Sequence, residues 1–189
     1  DVSLKHMLDS LFAYEAGFFT EGMRVCDVGT GAGFPGIPLK IMHSGLRVTL
    51  MDALGKRLKF LEDVTSALGL SEIVTCHIRA EDAGRALLHR NKYDVVIARA
   101  VARLNILAEY CLPLVKPGGV FAAMKAAEYA QEVQEAERAI QILGGRIVKI
   151  KEVSLPELAD KRVVIYIKKE KTTPNTYPRR AGTPEKNPL

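Results

Sequence analysis

Residues 24–36 read Arg-Val-Cys-Asp-Val-Gly-Thr-Gly-Ala-Gly-Phe-Pro-Gly, an apolar strand running straight into a glycine-packed turn. Gly29, Gly31, Gly33 and Gly36 fall within eight positions, which lets the main chain approach a ligand where any Cβ would collide. Pro35 and Pro38 suit a first helical turn, and Ile37, Leu39, Ile41 and Met42 continue it. Strand, glycine turn and helix together predict a nucleotide-cofactor site.

The rest of the chain repeats the alternation. Leu4, Met7, Leu8, Leu11 and Phe12 lie at helical spacing and predict an amphipathic helix over 3–16. Strands are expected at 24–28, 46–52, 72–78, 94–98 and 119–124. Helices are expected from the glycine turn to Ser44, over 55–69 with Gly69 as its C-cap, and over 81–90, 105–115 and 127–143. Lys116-Pro117-Gly118-Gly119 reads as a turn into the fifth strand. Two last strands, 146–153 and 162–168, are separated by eight residues without a helical pattern, and so short a link joins only antiparallel neighbours. The expected fold is α/β: a seven-stranded Rossmann-like sheet with its last strand antiparallel and helices on both faces. Residues 1–168 would form this domain. Residues 169–189 read as a basic, Pro-rich C-terminal tail, disordered alone.

Composition narrows the partners. A chain of 189 residues with 48% hydrophobic content fits one domain with a sizeable core. Its apolar runs are too short for a bilayer and its start is unlike a signal peptide, so no membrane partner is expected. Asp1 falls inside an amphipathic segment, and an upstream piece is expected. Cys26, Cys76 and Cys111 are widely spaced, with neither Cys-x-x-Cys nor a flanking His pattern. They read as small hydrophobes in a reducing cytoplasm, with no metal site and no disulfide framework. With no Trp and 6% aromatics, a stacking platform for single-stranded RNA is not expected. The net charge is +5, and residues 168–189 hold six basic against two acidic residues. Long-range attraction to a polyanion therefore resides mostly in the tail.

Two registers of the glycine turn compete. Gly31-x-Gly33-x-x-Gly36 matches the dinucleotide fingerprint, in which a pyrophosphate rests on the helix N-terminus. Gly29-x-Gly31-x-Gly33, preceded by Asp27, matches the turn of S-adenosylmethionine methyltransferases, where a carboxylate can balance a cationic ligand. A dinucleotide brings two phosphates, whereas S-adenosylmethionine brings a sulfonium and none, so Asp27 favours the second register. Asp52, at the end of the second strand, can hold ribose hydroxyls in either case. The antiparallel last strand again favours the methyltransferase.

Further stretches carry a closer resemblance. Lys5-His6-x-Leu8-Asp9-Ser10-Leu11, the run from Asp27 to Pro38 with its Gly33-Phe34-Pro35-Gly36-Ile37-Pro38, Gly55-Lys56-Arg57, Arg79-Ala80-Glu81 and Ala98-Arg99-Ala100-Val101-Ala102 resemble the glucose-inhibited division protein B family almost end to end. These are bacterial 16S rRNA guanine-N7 methyltransferases. The resemblance implies a class I S-adenosylmethionine-dependent enzyme that acts as a monomer on guanine 527 (G527) of 16S rRNA in the small ribosomal subunit. It implies that Gly29 and Phe34 contact the cofactor, that Ala80 and Glu81 meet its adenosine end, and that Arg99 lines the pocket. The family carries a further helical segment before Lys5-His6, and has Lys-Gly where this chain reads Lys125-Ala126.

The residues agree in position, since each site residue lies just past the carboxyl end of a strand. Phe34 also reads as a hydrophobic lid on the next helix, and Glu81 as a helix-start carboxylate. Arg99, directly after an apolar strand, is costly to bury without a partner or a purpose, which marks it as the candidate catalytic residue for positioning substrate. Guanine N7 already bears a lone pair, so no general base is needed and proximity carries the catalysis. Arg99, or Arg103 nearby, is expected to hold the guanine edge or a flanking phosphate. Two alternatives stay open: a methyltransferase acting on a small molecule or a protein, and a dinucleotide-binding module without turnover.

Overall fold

The computed structural model describes residues 2–99, 102–126, 129–153 and 162–189, with side chains from His6 onward. The link expected at 154–161, the pairs 100–101 and 127–128, and the Leu4 and Lys5 side chains lie outside the described residues.

Among the described residues seven strands form one sheet in the order β3-β2-β1-β4-β5-β7-β6. Strands β1 (Arg24–Val28), β2 (Arg47–Asp52), β3 (Ile73–His77), β4 (Tyr93–Arg99) and β5 (Val115–Ala126) run parallel. β7 (Arg162–Lys169) is inserted antiparallel between β5 and β6 (Gly145–Val153), as the short link requires. The chain moves outward from β1 to β3 and then returns to β4 on the other side. The crevice between β1 and β4 is therefore the topological switch point where open α/β sheets bind ligands. Register places Val28 beside Ala98, so the glycine turn and Arg99 leave the sheet side by side.

Alternation within each central strand feeds two cores. Cys26, Val28, Val96 and Ala98 face one side, where α5 (Leu104–Cys111) and α6 (Ala130–Ile142) cover them. Val25, Val95 and Ile97 face the other, under α2 (Gly36–Met42) and α3 (Gly55–Ala67). A parallel sheet buried on both faces explains why its strands read as unbroken apolar runs.

Three elements depart from expectation. The first helix, α1 (Val2–Leu11), stops short of residue 16, and tight turns at Phe12, Ala13 and Tyr14 follow. The helix expected over 81–90 is only α4 (Ala80–Ala83). It ends at Gly84, whose open side takes the ring of Pro178; an added Cβ would lie 2.7 Å from Pro178 Cγ. Lys116–Gly119 is not a turn before β5 but a bulge within it: Tyr93 pairs with Val115, and Val95 already pairs with Val120. Gly118 adopts φ +87° there, a conformation available to glycine at little cost.

The segment from Lys169, the last residue of β7, onward is not a free tail. Lys169 is fully buried, its Nζ donating to the carbonyls of Leu112 and Val115 at 2.5 and 3.3 Å. Burial, beside Arg90, pushes its pKa down to about 7. Thr173, Pro178 and Pro184 are buried, and a short helix, α7 (Thr183–Lys186), follows. Local composition resembles a linker, yet long-range contacts hold the segment against α4 and α5.

Candidate active site

Asp27 organises the glycine turn from below. Its carboxylate has no solvent exposure, and Oδ2 accepts hydrogen bonds from Thr30 Oγ1 at 2.7 Å and from the Gly36 amide at 2.9 Å. One oxygen thus ties the two ends of the turn together. Oδ1 has no hydrogen-bond partner among the described residues. Burial pushes the Asp27 pKa up to about 6, against the opposing pull of those two hydrogen bonds and of the Arg99 charge. The turn is further pinned by the Gly29 and Thr30 amides, which donate to the Met51 carbonyl at 2.9 and 3.1 Å.

Gly29, Gly31 and Gly33 all adopt positive φ. Gly36 is required for a different reason: an added Cβ would lie 2.5 Å from Leu50 Cδ2 and 2.9 Å from Asp27 Oδ2. At the end of β2, Asp52 Oδ2 accepts from the Gly31 amide at 3.0 Å and Oδ1 from the Leu54 amide at 2.9 Å. Arg57 Nη1 lies 3.5 Å from Oδ2.

These elements border a cavity of about 400 Å³ that includes Gly29, Asp52, Ala80, Glu81, Arg99 and Glu185 in its lining. Five of the expected site residues therefore come together. Asp27 and Gly33 lie buried beneath the turn, and Gly31 borders a shallower hollow beside Lys56, Arg57 and Phe60. Phe34 lies on the other side of Arg99, whose guanidinium sits 5.4 Å from the ring centroid. The His6 ring lies 5.9 Å from Phe34 at a 41° tilt, so Phe34 contacts both a cation and a second ring.

A second cavity, of about 610 Å³, opens on that side. Its lining includes Asp9, Arg99, Arg103, Lys125, Ala126 and Arg162, with apolar surface from Met124, Val163 and Val164. Arg99 borders both cavities, and its half-buried charge has a partner. Asp9 Oδ2 lies 3.4 Å from Arg99 Nη1, and Asp9 Oδ1 lies 3.2 Å from Arg162 Nε. Arg103 pairs with Glu135. Lys125 Nζ donates to the Ala102 carbonyl and to Glu132, both at 2.7 Å.

Asp9, Arg162 and Glu185 were not assigned from sequence. Asp9 stands within one of the family-like stretches, which was its one signal. Arg162 opens the last strand and Glu185 sits in the presumed tail, so neither had a local mark.

A model of the family described as rRNA small subunit methyltransferase G (GidB) matches residues 1–163. The ribosomal RNA small subunit methyltransferase G of Lactobacillus acidophilus is 48% identical over 192 residues, spanning 100% of this chain and 80% of that protein. The protein of the same name from Desulforamulus reducens is 48% identical over 189 residues, spanning 100% of this chain and 79% of that protein. Among solved structures, the chain is similar to TrmN from Thermus thermophilus, with a TM-score of 0.64, 21% identity, and coverage of 86% of this chain and 48% of that one. At that identity the likeness speaks for the fold alone.

Proposed function

The chain belongs to the rRNA small subunit methyltransferase G family, and we propose that it methylates N7 of guanine 527 in 16S rRNA with S-adenosylmethionine as donor. The observation that carries the reading is Arg99, which stands at the switch point between two cavities and lines both. The smaller cavity has what the donor needs: glycine backbone at positive φ, the Asp52 carboxylate for ribose hydroxyls, and the buried Asp27 carboxylate beneath the turn. When bound, the donor supplies an electrophilic methyl group on a positively charged sulfur.

The larger cavity suits the acceptor base. Asp9 stands between Arg99 and Arg162, so hydrogen-bond acceptors and donors alternate there. Guanine shows the complementary edge, with O6 accepting beside an N1–H that donates. Arg99 best serves on O6 or a flanking phosphate, because an N–H pointed at N7 would occupy the lone pair that must attack. N7 carries no proton, so no residue is needed as a base. The chain's work is to align the base with the methyl and to exclude water. The cation–π contact with Phe34 and the Asp9 pair fix the Arg99 guanidinium in advance, which favours that alignment. Among the described residues no helix is long and apolar enough to cross a membrane. The proposal further takes the enzyme to act as a monomer in the cytoplasm on the small ribosomal subunit.

The test is nuclease digestion and mass analysis of 16S rRNA from a strain lacking the gene. N7-methylguanosine should disappear, return with the wild-type chain, and fail to return with Arg99→Ala at equal protein level. Persistence of the modified base without the gene would sink the assignment. Full restoration by Arg99→Ala would remove Arg99 from the reaction.

A further inference from the structure

Residues 170–186 cross the height of the sheet. β7 runs antiparallel to β5, with Lys168 opposite Val120 and Arg162 opposite Ala126, so the chain leaves it at the edge where the parallel strands begin. Glu185 nevertheless lines the smaller cavity, at the edge where those strands end. The segment between is tied to the domain at every stage. Thr173 Oγ1 donates to the Leu143 carbonyl at 2.7 Å. The Arg90 guanidinium donates to the carbonyls of Thr173 and Tyr177 at 2.7 and 2.8 Å, and Arg85 Nε donates to the Pro178 carbonyl at 2.8 Å. Arg179 then closes a bidentate pair on Glu109, with Nε–Oε1 at 2.9 Å and Nη2–Oε2 at 2.6 Å, while its own amide donates to Oε1 at 2.8 Å. Glu109 is 1% exposed, so this latch is satisfied only while the strap is docked.

Beyond the latch the strap reaches the cavity. The Gly182 amide donates to Glu81 Oε1 at 3.1 Å, and Tyr110 Oη donates to Glu185 Oε1 at 3.1 Å. Gly182 holds φ +79° where the chain turns to present α7. Two carboxylates, one from α4 and one from the strap, therefore border a single hollow, each oriented by a hydrogen bond from the other side of the junction. The hollow extends past Asp52, the candidate ribose ligand, toward the end of β3. Its far end is where a base attached to that ribose would lie.

We propose that residues 177–186 form a wall of the cofactor pocket, in which Glu185 accepts a hydrogen bond from the adenine amine and Gly182 positions Glu81. The inference rests on the methyltransferase reading for the identity of the cofactor. The strap acts on cofactor affinity and base selectivity; it does not border the larger cavity, so it leaves rRNA recognition alone.

The test is isothermal titration of the full chain with S-adenosylhomocysteine and with S-inosylhomocysteine, which carries an acceptor oxygen in place of the amine. Glu185→Ala lies on an exposed side chain and should keep the chain folded, with the melting temperature lowered only by the loss of the one hydrogen bond from Tyr110. It should weaken S-adenosylhomocysteine about tenfold, as expected for loss of one hydrogen bond to a charged acceptor, and change S-inosylhomocysteine little or improve it. The double variant Glu109→Gln with Arg179→Met, which removes both charges of the latch, should also weaken S-adenosylhomocysteine. Lys171→Ala, exposed on the strap outside that wall, should not. Equal loss for both ligands in Glu185→Ala, or no loss in either test variant, would overturn the proposal. So would an effect confined to the KM for ribosomal substrate. If the wild-type chain binds neither ligand, it is the methyltransferase reading that fails.

Discussion

Asp27→Asn separates the two roles that one buried carboxylate combines. In the folded chain Asp27 titrates at about 6, against an ordinary value of 3.8. Below both values the group is neutral in either state and contributes nothing to pH dependence. As pH rises from 3.8 to 6 the unfolded chain gives up the proton while the folded chain keeps it, so folding loses stability. At about 1.4 kcal/mol per pKa unit the full loss is about 3 kcal/mol, complete by roughly pH 7. That is a large share of the ~5–15 kcal/mol that holds a typical domain together. Asn has nearly the same shape and stays neutral. Its oxygen can accept from Thr30 and Gly36, which places the amide group at the unpartnered Oδ1 position as a constant offset. Urea unfolding of both chains at pH 4.5 and 7.5 should therefore show the variant gaining about 2 kcal/mol on the wild type between the two, the part of the titration that this window spans. Taking the difference between chains cancels the other carboxylates, including Glu15, whose pKa the Lys149 hydrogen bond lowers. A difference that stays constant to within about 0.5 kcal/mol across the window would refute the argument. The same carboxylate should ionise when a cationic ligand binds above it. Titration of S-adenosylmethionine at pH 6, in buffers of different ionisation enthalpy, should show release of up to about half a proton from the wild type. The variant should release none from this site.

Gly36→Ala forces a Cβ against Leu50 and Asp27 at the distances given above. It should destabilise the chain by about 1–3 kcal/mol and weaken S-adenosylmethionine binding, read by urea midpoint and calorimetry. An unchanged midpoint would mean that the turn relaxes freely and is not the rigid cradle described. The thiols of Cys26 and Cys111 are fully buried, and burial pushes both well above the ordinary value; that of half-buried Cys76 is also raised. Native protein treated with iodoacetamide at pH 8 should therefore show at most one adduct by intact mass and keep its cofactor affinity. Two or more adducts on a folded chain would contradict the packing of β1 and α5.

What was legible in the sequence divides along a physical line. Strand β1, its glycine turn, Asp52 at the end of β2 and the antiparallel closing pair are written in near-neighbour patterns: alternation, glycine spacing and link length. Arg99 was legible because a guanidinium directly after Val-Val-Ile-Ala needs a reason. Its partner Asp9 was not, since it lies ninety positions away on the first helix and an aspartate there has the same local look as any solvated one. The strap shows the limit most clearly. Arg90 and Arg85 hold it largely through backbone carbonyls, and every residue type presents that acceptor, so the recognised segment carries almost no signature in its side chains. Its basic anchor, Arg179, reads as part of a basic tail until the buried Glu109 is known. Counting Arg179 as free charge overstated the tail's attraction for RNA. With that charge committed to Glu109 and Lys169 buried, the segment is better placed to shape a pocket than to reach a phosphate.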